Sequence, residues 1–195
     1  MSKVFVITGP SGVGKGTLIR TLLERVPELE LSVSATTRKP RVGETHGVDY
    51  YFLDDAEFDR RIEQGEFVEH ASYSGRRYGT LRAELEQRLR RGAPVVLEIE
   101  LQGARQVRES MPDAVLIFVR PPSTEALRTR LIGRGTDSSA DVEKRLATAA
   151  EELRAQDEFT HVVINDRLED AVAALEEVVR AALASDGTKP TEDPS

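Results

Sequence analysis

Apolar residues along this chain fall into two repeating patterns, and their alternation predicts the architecture. Val4-Phe5-Val6-Ile7 and Val115-Leu116-Ile117-Phe118-Val119 are continuous apolar runs, the pattern of strands covered on both faces of a parallel sheet. Pro94-Val95-Val96-Leu97-Glu98-Ile99 reads as a third buried strand with carboxylates at its C-terminal end, and His161-Val162-Val163-Ile164-Asn165 is the last strand of the chain. Between these runs, apolar positions recur at helical spacing. Leu18, Ile19, Leu22 and Leu23 form one such face. Further helices are predicted from Leu81 to about Arg91, closed by Gly92, and from Gln102 to Ser110, stopped by Pro112. Leu127 and Leu131 follow Pro121-Pro122-Ser123, Val142, Leu146 and Leu153 share one face from about Ser139 on, and Val172, Leu175, Val179 and Leu183 stripe a final helix. Strands alternating with helices predict a doubly wound α/β core whose ligands sit at the carboxyl ends of the strands. That rule gathers Gly9–Thr17, Glu98, Glu100, Arg120 and Asn165 around one crevice.

Residues 35–80 break this rhythm. Leu31-Ser32-Val33-Ser34 alternates as a strand and leads into a polar loop from Ala35 to Glu44; Tyr50-Tyr51-Phe52-Leu53 is a second short strand. Asp54 and Asp55 can cap a helix from Ala56 to about Gln64, with Phe58 and Ile62 facing inward. Phe67–Tyr73 alternates again, Ser74-Gly75 signals a turn, and Arg76-Arg77-Tyr78 returns as its hairpin partner. The segment is predicted to be a small α+β insertion. After Ser185 the composition predicts a disordered tail over 186–195.

Composition narrows the function classes. A length of 195 residues gives one substantial core, and a net charge of -7 argues against a general nucleic-acid binder. No cysteine is present to form disulfides or thiolate metal sites, and His46, His70 and His161 lack metal-ligand spacing. Met1-Ser2-Lys3 enters a strand directly, without the layout of a signal peptide, and no apolar run approaches membrane-spanning length. A cytoplasmic enzyme with no membrane partner is expected.

The strongest chemical signal is Gly9-Pro10-Ser11-Gly12-Val13-Gly14-Lys15-Gly16-Thr17, set between the first strand and the first helix. Such a turn points several backbone N–H groups into one concavity at a helix N-terminus, where the helix dipole adds positive potential. Glycines let the backbone approach a polyphosphate, and Lys15 supplies a mobile charge for its outer phosphates. The motif ordinarily has Ser or Thr directly after the lysine to reach Mg²⁺; Gly16 stands there and Thr17 one later. Mg²⁺ is therefore expected to be held by phosphate oxygens and water, without direct side-chain ligation. Thr17 is expected to serve the α-phosphate, or with Glu98 to stand behind metal-bound water. Glu98 has a second reading as a plain strand-end carboxylate.

A second anion site is read from Arg38 and Arg41, two guanidinium forks flanking Pro40. An isolated pair of this kind is also what a solvated basic loop looks like, but Ser34, Thr36, Thr37, Tyr50 and Tyr78 add hydroxyls and Glu69 lies on the same inserted unit. Arg130, Arg134 and Arg145 read either as solvated helix arginines or as cations brought to a transferring phosphoryl group.

The run from Ser32 to Glu44, together with Gly47–Phe52, Glu66–Glu69, Tyr78-Gly79-Thr80, Glu98–Gly103, Gly133–Thr136 and Val163–Asp166, resembles guanylate kinases in the family's order across residues 3 to 184. The resemblance implies a nucleoside monophosphate kinase of nucleotide recycling. It implies a P-loop NTPase-type parallel sheet covered by helices on both faces, with a small α+β GMP-binding insertion and a mobile lid. It implies transfer of the γ-phosphoryl of ATP, with Mg²⁺, to GMP. By the same resemblance the core is 1–34, 81–124 and 156–185, the GMP-binding insertion 35–80 and the lid region 125–155. Arg38, Arg41, Tyr50 and Tyr78 would hold the GMP phosphate, Ser34 and Thr80 would face guanine O6, and Glu69 and Glu100 would accept from guanine N1 and N2. The glycine loop, Arg130, Arg134 and Asn165 would bind ATP, and Lys15, Arg38, Arg134 and Arg145 would be catalytic. Glu100 stands where the family usually has Asp. Two alternatives stay open: a kinase for another small acceptor, and a non-catalytic guanylate-kinase-like module. Lys15 and the intact loop glycines favour the enzyme. The expected partners are ATP and GMP, in a monomer or small homo-oligomer.

Overall fold

The computed structural model describes residues 3–73, 75–132 and 139–186. Two sheets organise them. The larger is parallel, in the order β2 (Glu30–Leu31), β7 (Val95–Glu98), β1 (Val4–Thr8), β8 (Val115–Arg120), β9 (His161–Ile164). The apolar runs of its inner strands β7, β1 and β8 are buried because helices cover both faces, whereas Val162 and Ile164 on the edge strand β9 are exposed. Phe5, Ile7, Ile117 and Val163 pack under α1 (Lys15–Arg25) and α7 (Leu168–Asp186). Val4, Val6, Leu97 and Leu116 pack under α3 (Arg82–Arg90) and α4 (Leu101–Ser110). At ~25 cal/mol per Å² of apolar surface removed from water, these two layers are the main source of the core's stability. No helix among the described residues is long and apolar enough to cross a membrane.

The smaller sheet runs β4 (Tyr51–Phe52), β3 (Ser34–Thr36), β6 (Arg76–Leu81), β5 (Phe67–Tyr73), with α2 (Asp55–Glu63) on one face. Asp54 caps α2 by accepting from Glu57 N–H at 2.7 Å. Phe58 from α2 stacks on Phe67 at 4.5 Å between ring centroids, giving this unit its own small core with Ala35 and Leu81. Its outer strand β5 is covered by α4. The Gln106 amide accepts from His70 N–H at 3.1 Å and donates to His70 O at 2.7 Å, closing an edge that would otherwise be open to another strand.

The strand predicted over Leu31–Ser34 divides in two. Glu30–Leu31 belongs to the parallel sheet and Ser34–Thr36 to the smaller one. At the crossing, Ser32 Oγ donates to Glu84 at 2.9 Å and Val33 N–H to the other Glu84 oxygen at 3.3 Å. Glu84, buried on α3, also pairs with Arg88, which reaches Glu30. Both passages between the sheets are therefore tied to one helix. α5 (Thr124–Ile132) and α6 (Ser139–Arg154) pack on each other through Leu127, Leu131, Val142 and Leu146. The segment that holds Arg134, the Ser74 turn position and the tail beyond Asp186 lie outside the described residues.

Candidate active site

The glycine loop begins where β1 ends. Residue 9 has φ 147°, and a Cβ there would stand 2.1 Å from the Val119 carbonyl oxygen on β8, so the chain leaves the sheet only as glycine. Leu18 N–H is the first in α1 to close a helical bond, on Gly14 O at 3.1 Å. The N–H groups of Lys15, Gly16 and Thr17 are left directed out of the helix end. Lys15 Nζ donates to Gly9 O, folding the lysine over its own loop. Asn165 Nδ2 donates to Val13 O at 2.8 Å, and Arg130 donates to Val13 O at 3.2 Å and to Asn165 O at 2.8 Å. These two residues brace the loop from behind. Arg120, which the strand-end rule also sent to this crevice, instead donates to Gln156 at 3.1 Å.

Ser34, Thr80 and Glu69 fall in one row across β3, β6 and β5, since Thr80 is the register partner of both others. Thr80 Oγ1 donates to Glu69 Oε1 at 2.8 Å. Glu69 is only 3% exposed, and burial pushes its carboxyl up to about 7, with Glu100 adding like charge and Thr80 pulling the other way. Arg38 forks both oxygens of Glu44, at 2.9 and 2.8 Å, and lies 5.1 Å from the Tyr50 ring centroid, with Tyr78 beyond at 6.4 Å from Tyr50. Three of the four residues expected at the acceptor phosphate are thus together. Arg41 is exposed, joined to the group through its backbone N–H on Glu44 at 2.7 Å. Arg38 first, and then that N–H, hold Glu44 down at about 2.

The two sites are adjoining cavities. One is lined by the loop from Pro10 to Thr17, the other by Ser34, Tyr50, Glu69, Tyr78 and Gly79. Lys15, Tyr73, Glu98 and Glu100 line both. A Cβ at Gly16 would face the Glu98 oxygens at 3.8 and 3.9 Å, so the place of the usual hydroxyl looks onto a carboxylate. Glu98 opens into the cavity, yet the protein around it still raises its pKa, with Lys15 opposing and Glu100 reinforcing the shift. Glu152, on α6, is pushed up to about 7 by burial and by Glu100, against Lys15 and a hydrogen bond from Ser11 N–H.

Sequence reasoning missed Tyr73, Glu44 and Glu152. Tyr73 could have been found, because it continues the period-two face of β5 that carries Glu69 and Ala71 into the cavity. Arg145 sits half-buried on α6.

A parallel sheet with a glycine loop between β1 and α1, and a second pocket opening beside that loop, defines a P-loop phosphotransferase fold. A family model described as guanylate kinase matches residues 1–182. A guanylate kinase of Rubrobacter xylanophilus is 54% identical over 182 residues, covering 93% of this chain and 95% of its own. One of Streptomyces kasugaensis is 55% identical over 168 residues, covering 86% and 82%. The crystal structure of guanylate kinase from Anaplasma phagocytophilum superposes with a TM-score of 0.74 at 35% identity, over 92% of this chain and 85% of that one. A gluconokinase from Sinorhizobium meliloti, at 19% identity and a TM-score of 0.53 over 96% of this chain and 98% of its own, shares the fold alone. The chain belongs to the guanylate kinase family.

Proposed function

We propose that this enzyme transfers the γ-phosphoryl group of ATP to GMP, giving ADP and GDP. The observation that carries this reading is the junction of the two cavities at Lys15, Tyr73, Glu98 and Glu100. A donor polyphosphate on the loop and an acceptor phosphate beside Arg38 would meet there. A GMP phosphate oxygen attacks the γ-phosphorus, the bond from that phosphorus to the β,γ-bridging oxygen breaks, and ADP leaves with the electron pair. Such a reaction asks the protein for positioning and charge.

The N–H groups of residues 15–17 would hold the β- and α-phosphates of ATP. Lys15 would swing from Gly9 O to the transferring group, with Arg134 and Arg145 completing its cations. Asn165, whose amide nitrogen is engaged by Val13, keeps Oδ1 as the acceptor for the adenine amino group. The donor set near Gly16 fits Mg²⁺: the Glu98 carboxylate faces it, and among the described residues no imidazole or thiolate lines the cavity. Glu98 would hold the ion through water, with Thr17 beside it. When bound with ATP, the ion neutralises charge on the β- and γ-phosphates.

In the acceptor pocket, Ser34 would donate to guanine O6. Thr80, whose proton goes to Glu69, would hold that carboxylate in place while Glu69 and Glu100 accept from N1 and N2. Arg38, Tyr50 and Tyr78 would take the phosphate, displacing Glu44 from the Arg38 fork. Arg41 would close onto it from the loop. Residues 35–80 thus act as the acceptor-binding unit, 125–155 as the lid region, and the parallel sheet with its helices as the core.

A coupled assay supplying ATP with GMP, AMP, UMP or CMP tests the reaction; turnover of another acceptor at a rate comparable to GMP rejects it. Arg41→Met is expected to raise the KM for GMP about tenfold or more, with the KM for ATP within about twofold, because it removes one charge-assisted bond at one site. Equal rises in both would show that the two phosphate sites are wrongly assigned.

A pH effect follows from Glu69. Only the ionised carboxylate is a pure acceptor, and its pKa in the free protein is about 7. Between pH 6.5 and 8.5, above the second phosphate pKa of about 6, GMP affinity is expected to rise and then level off. In Glu69→Gln that rise disappears. The stability of the free protein moves the other way. The raised pKa values of Glu69 and Glu152 favour the fold below the ordinary value of 4.5, and that contribution is lost as pH climbs through about 7. Calorimetric titration across the range measures the first effect, and thermal melts measure the second.

A further inference from the structure

The Glu69 carboxylate has a second neighbour besides Thr80. A Cβ built on Gly103, in the first turn of α4, would stand 2.1 Å from Glu69 Oε2, 2.9 Å from its Cδ and 3.4 Å from its Cγ, and these are the three nearest atoms. The missing side chain at 103 therefore makes room for the Glu69 carboxylate. One turn further, Gln106 grips the His70 backbone on both its N–H and its carbonyl oxygen. Residues three apart on a helix share a face, so α4 addresses two consecutive residues of β5 at once. Gly103 admits the Glu69 head and Gln106 fixes the strand that carries it.

We propose that Gly103 and Gln106 are positioning residues that set where the Glu69 carboxylate stands in the acceptor pocket, and through it which purine edge the enzyme accepts. The inference rests on the reading that Glu69 accepts from guanine. A methyl at 103 has to drive Oε2 from 2.1 Å out to ordinary contact, which begins at 3.4 Å. The carboxylate is the far end of a flexible side chain, so it moves while the backbone stays. The open side is the cavity shared with Ser34, Tyr78 and Glu100. The cost then falls on base recognition and spares folding. Alanine is also the better helix former, so the helix itself gains from the change.

The test uses the whole enzyme as wild type, Gly103→Ala, Glu69→Ala and the double variant, with steady-state kinetics for GMP and ATP and a thermal melt for each. Gly103→Ala is expected to raise the KM for GMP about 30-fold, the loss typical of a misplaced charged hydrogen bond, with the KM for ATP within about twofold. In the Glu69→Ala background the same substitution is expected to leave GMP kinetics within about twofold and to raise Tm by about 3 °C. Gln106→Leu is expected to raise the KM for GMP about fivefold, again sparing ATP, through the loss of two backbone contacts. The proposal is overturned if Gly103→Ala costs the same in both backgrounds, if it raises both KM values alike, or if it abolishes the cooperative melt. A Glu69→Ala enzyme that handles GMP normally removes the base-reading role of Glu69 and the proposal with it. That outcome is recognised without any variant at 103.

Discussion

With ATP as donor, GMP is expected to be turned over about 10⁴-fold more efficiently than AMP, compared as kcat/KM. Guanine presents N1–H and N2–H₂ donors beside an O6 acceptor, whereas adenine has no N1–H and places an amino group at the O6 position. Glu69 and Glu100 offer acceptors and Ser34 a hydroxyl, so AMP would leave carboxylate oxygens unpaired, including one on Glu69, a residue only 3% exposed to solvent. A buried carboxylate that loses its partner bears most of its desolvation cost, which is why discrimination of this kind exceeds what shape alone gives. Glu69→Gln puts an amide there that can turn a donor toward guanine, and the GMP-to-AMP ratio is expected to fall about 10²-fold. Comparable turnover of AMP and GMP by the wild type rejects the acceptor assignment; an unchanged ratio in the variant rejects Glu69 as its source.

Lys15→Met is expected to lower kcat about 10²-fold or more while the thermal melt stays close to wild type. The substitution keeps an unbranched chain of similar length and removes a charge that is half-buried over the loop. Its electrostatic setting magnifies the loss. Lys15 is the counter-charge acting on both Glu98 and Glu152, and Glu100 repels the same two groups. Without it, carboxylates would confront the phosphates in the region common to both cavities. Single-turnover phosphoryl transfer at saturating nucleotides measures the effect; a variant within a few-fold of wild type removes Lys15 from the mechanism.

The glycine loop was legible because each of its requirements is local: a buried strand before it, a helix after it, and a lysine at a fixed offset. The row of Ser34, Thr80 and Glu69 was legible through resemblance, and the strand register supplies its physical basis. The break between β2 and β3 was hidden because Leu31-Ser32-Val33-Ser34 keeps strict alternation through the crossing. What ends the first strand is Glu84, 52 residues beyond Ser32. The fork of Arg38 on Glu44 spans six residues across a turn, which no helix or strand period predicts. Asn165 could be placed near the loop from topology, but its bond to Val13, 152 residues away, could not. Gly103 reads in sequence as a weak helix residue, and its use emerges only where α4 crosses β5.

That crossing bears on how acceptor choice can be inherited or redesigned. The inserted unit joins the core by two short passages, both held by α3, and has the look of a cassette that could be exchanged between related kinases. The residues that abut Glu69 and hold its strand nevertheless lie outside it, at Gly103 and Gln106, 34 and 37 residues downstream of Glu69. A graft of residues 34–81 alone would bring a new side chain to a recess shaped for glutamate. Transplanting base preference therefore means moving two stretches of sequence together, and drift in either one constrains what the other can become.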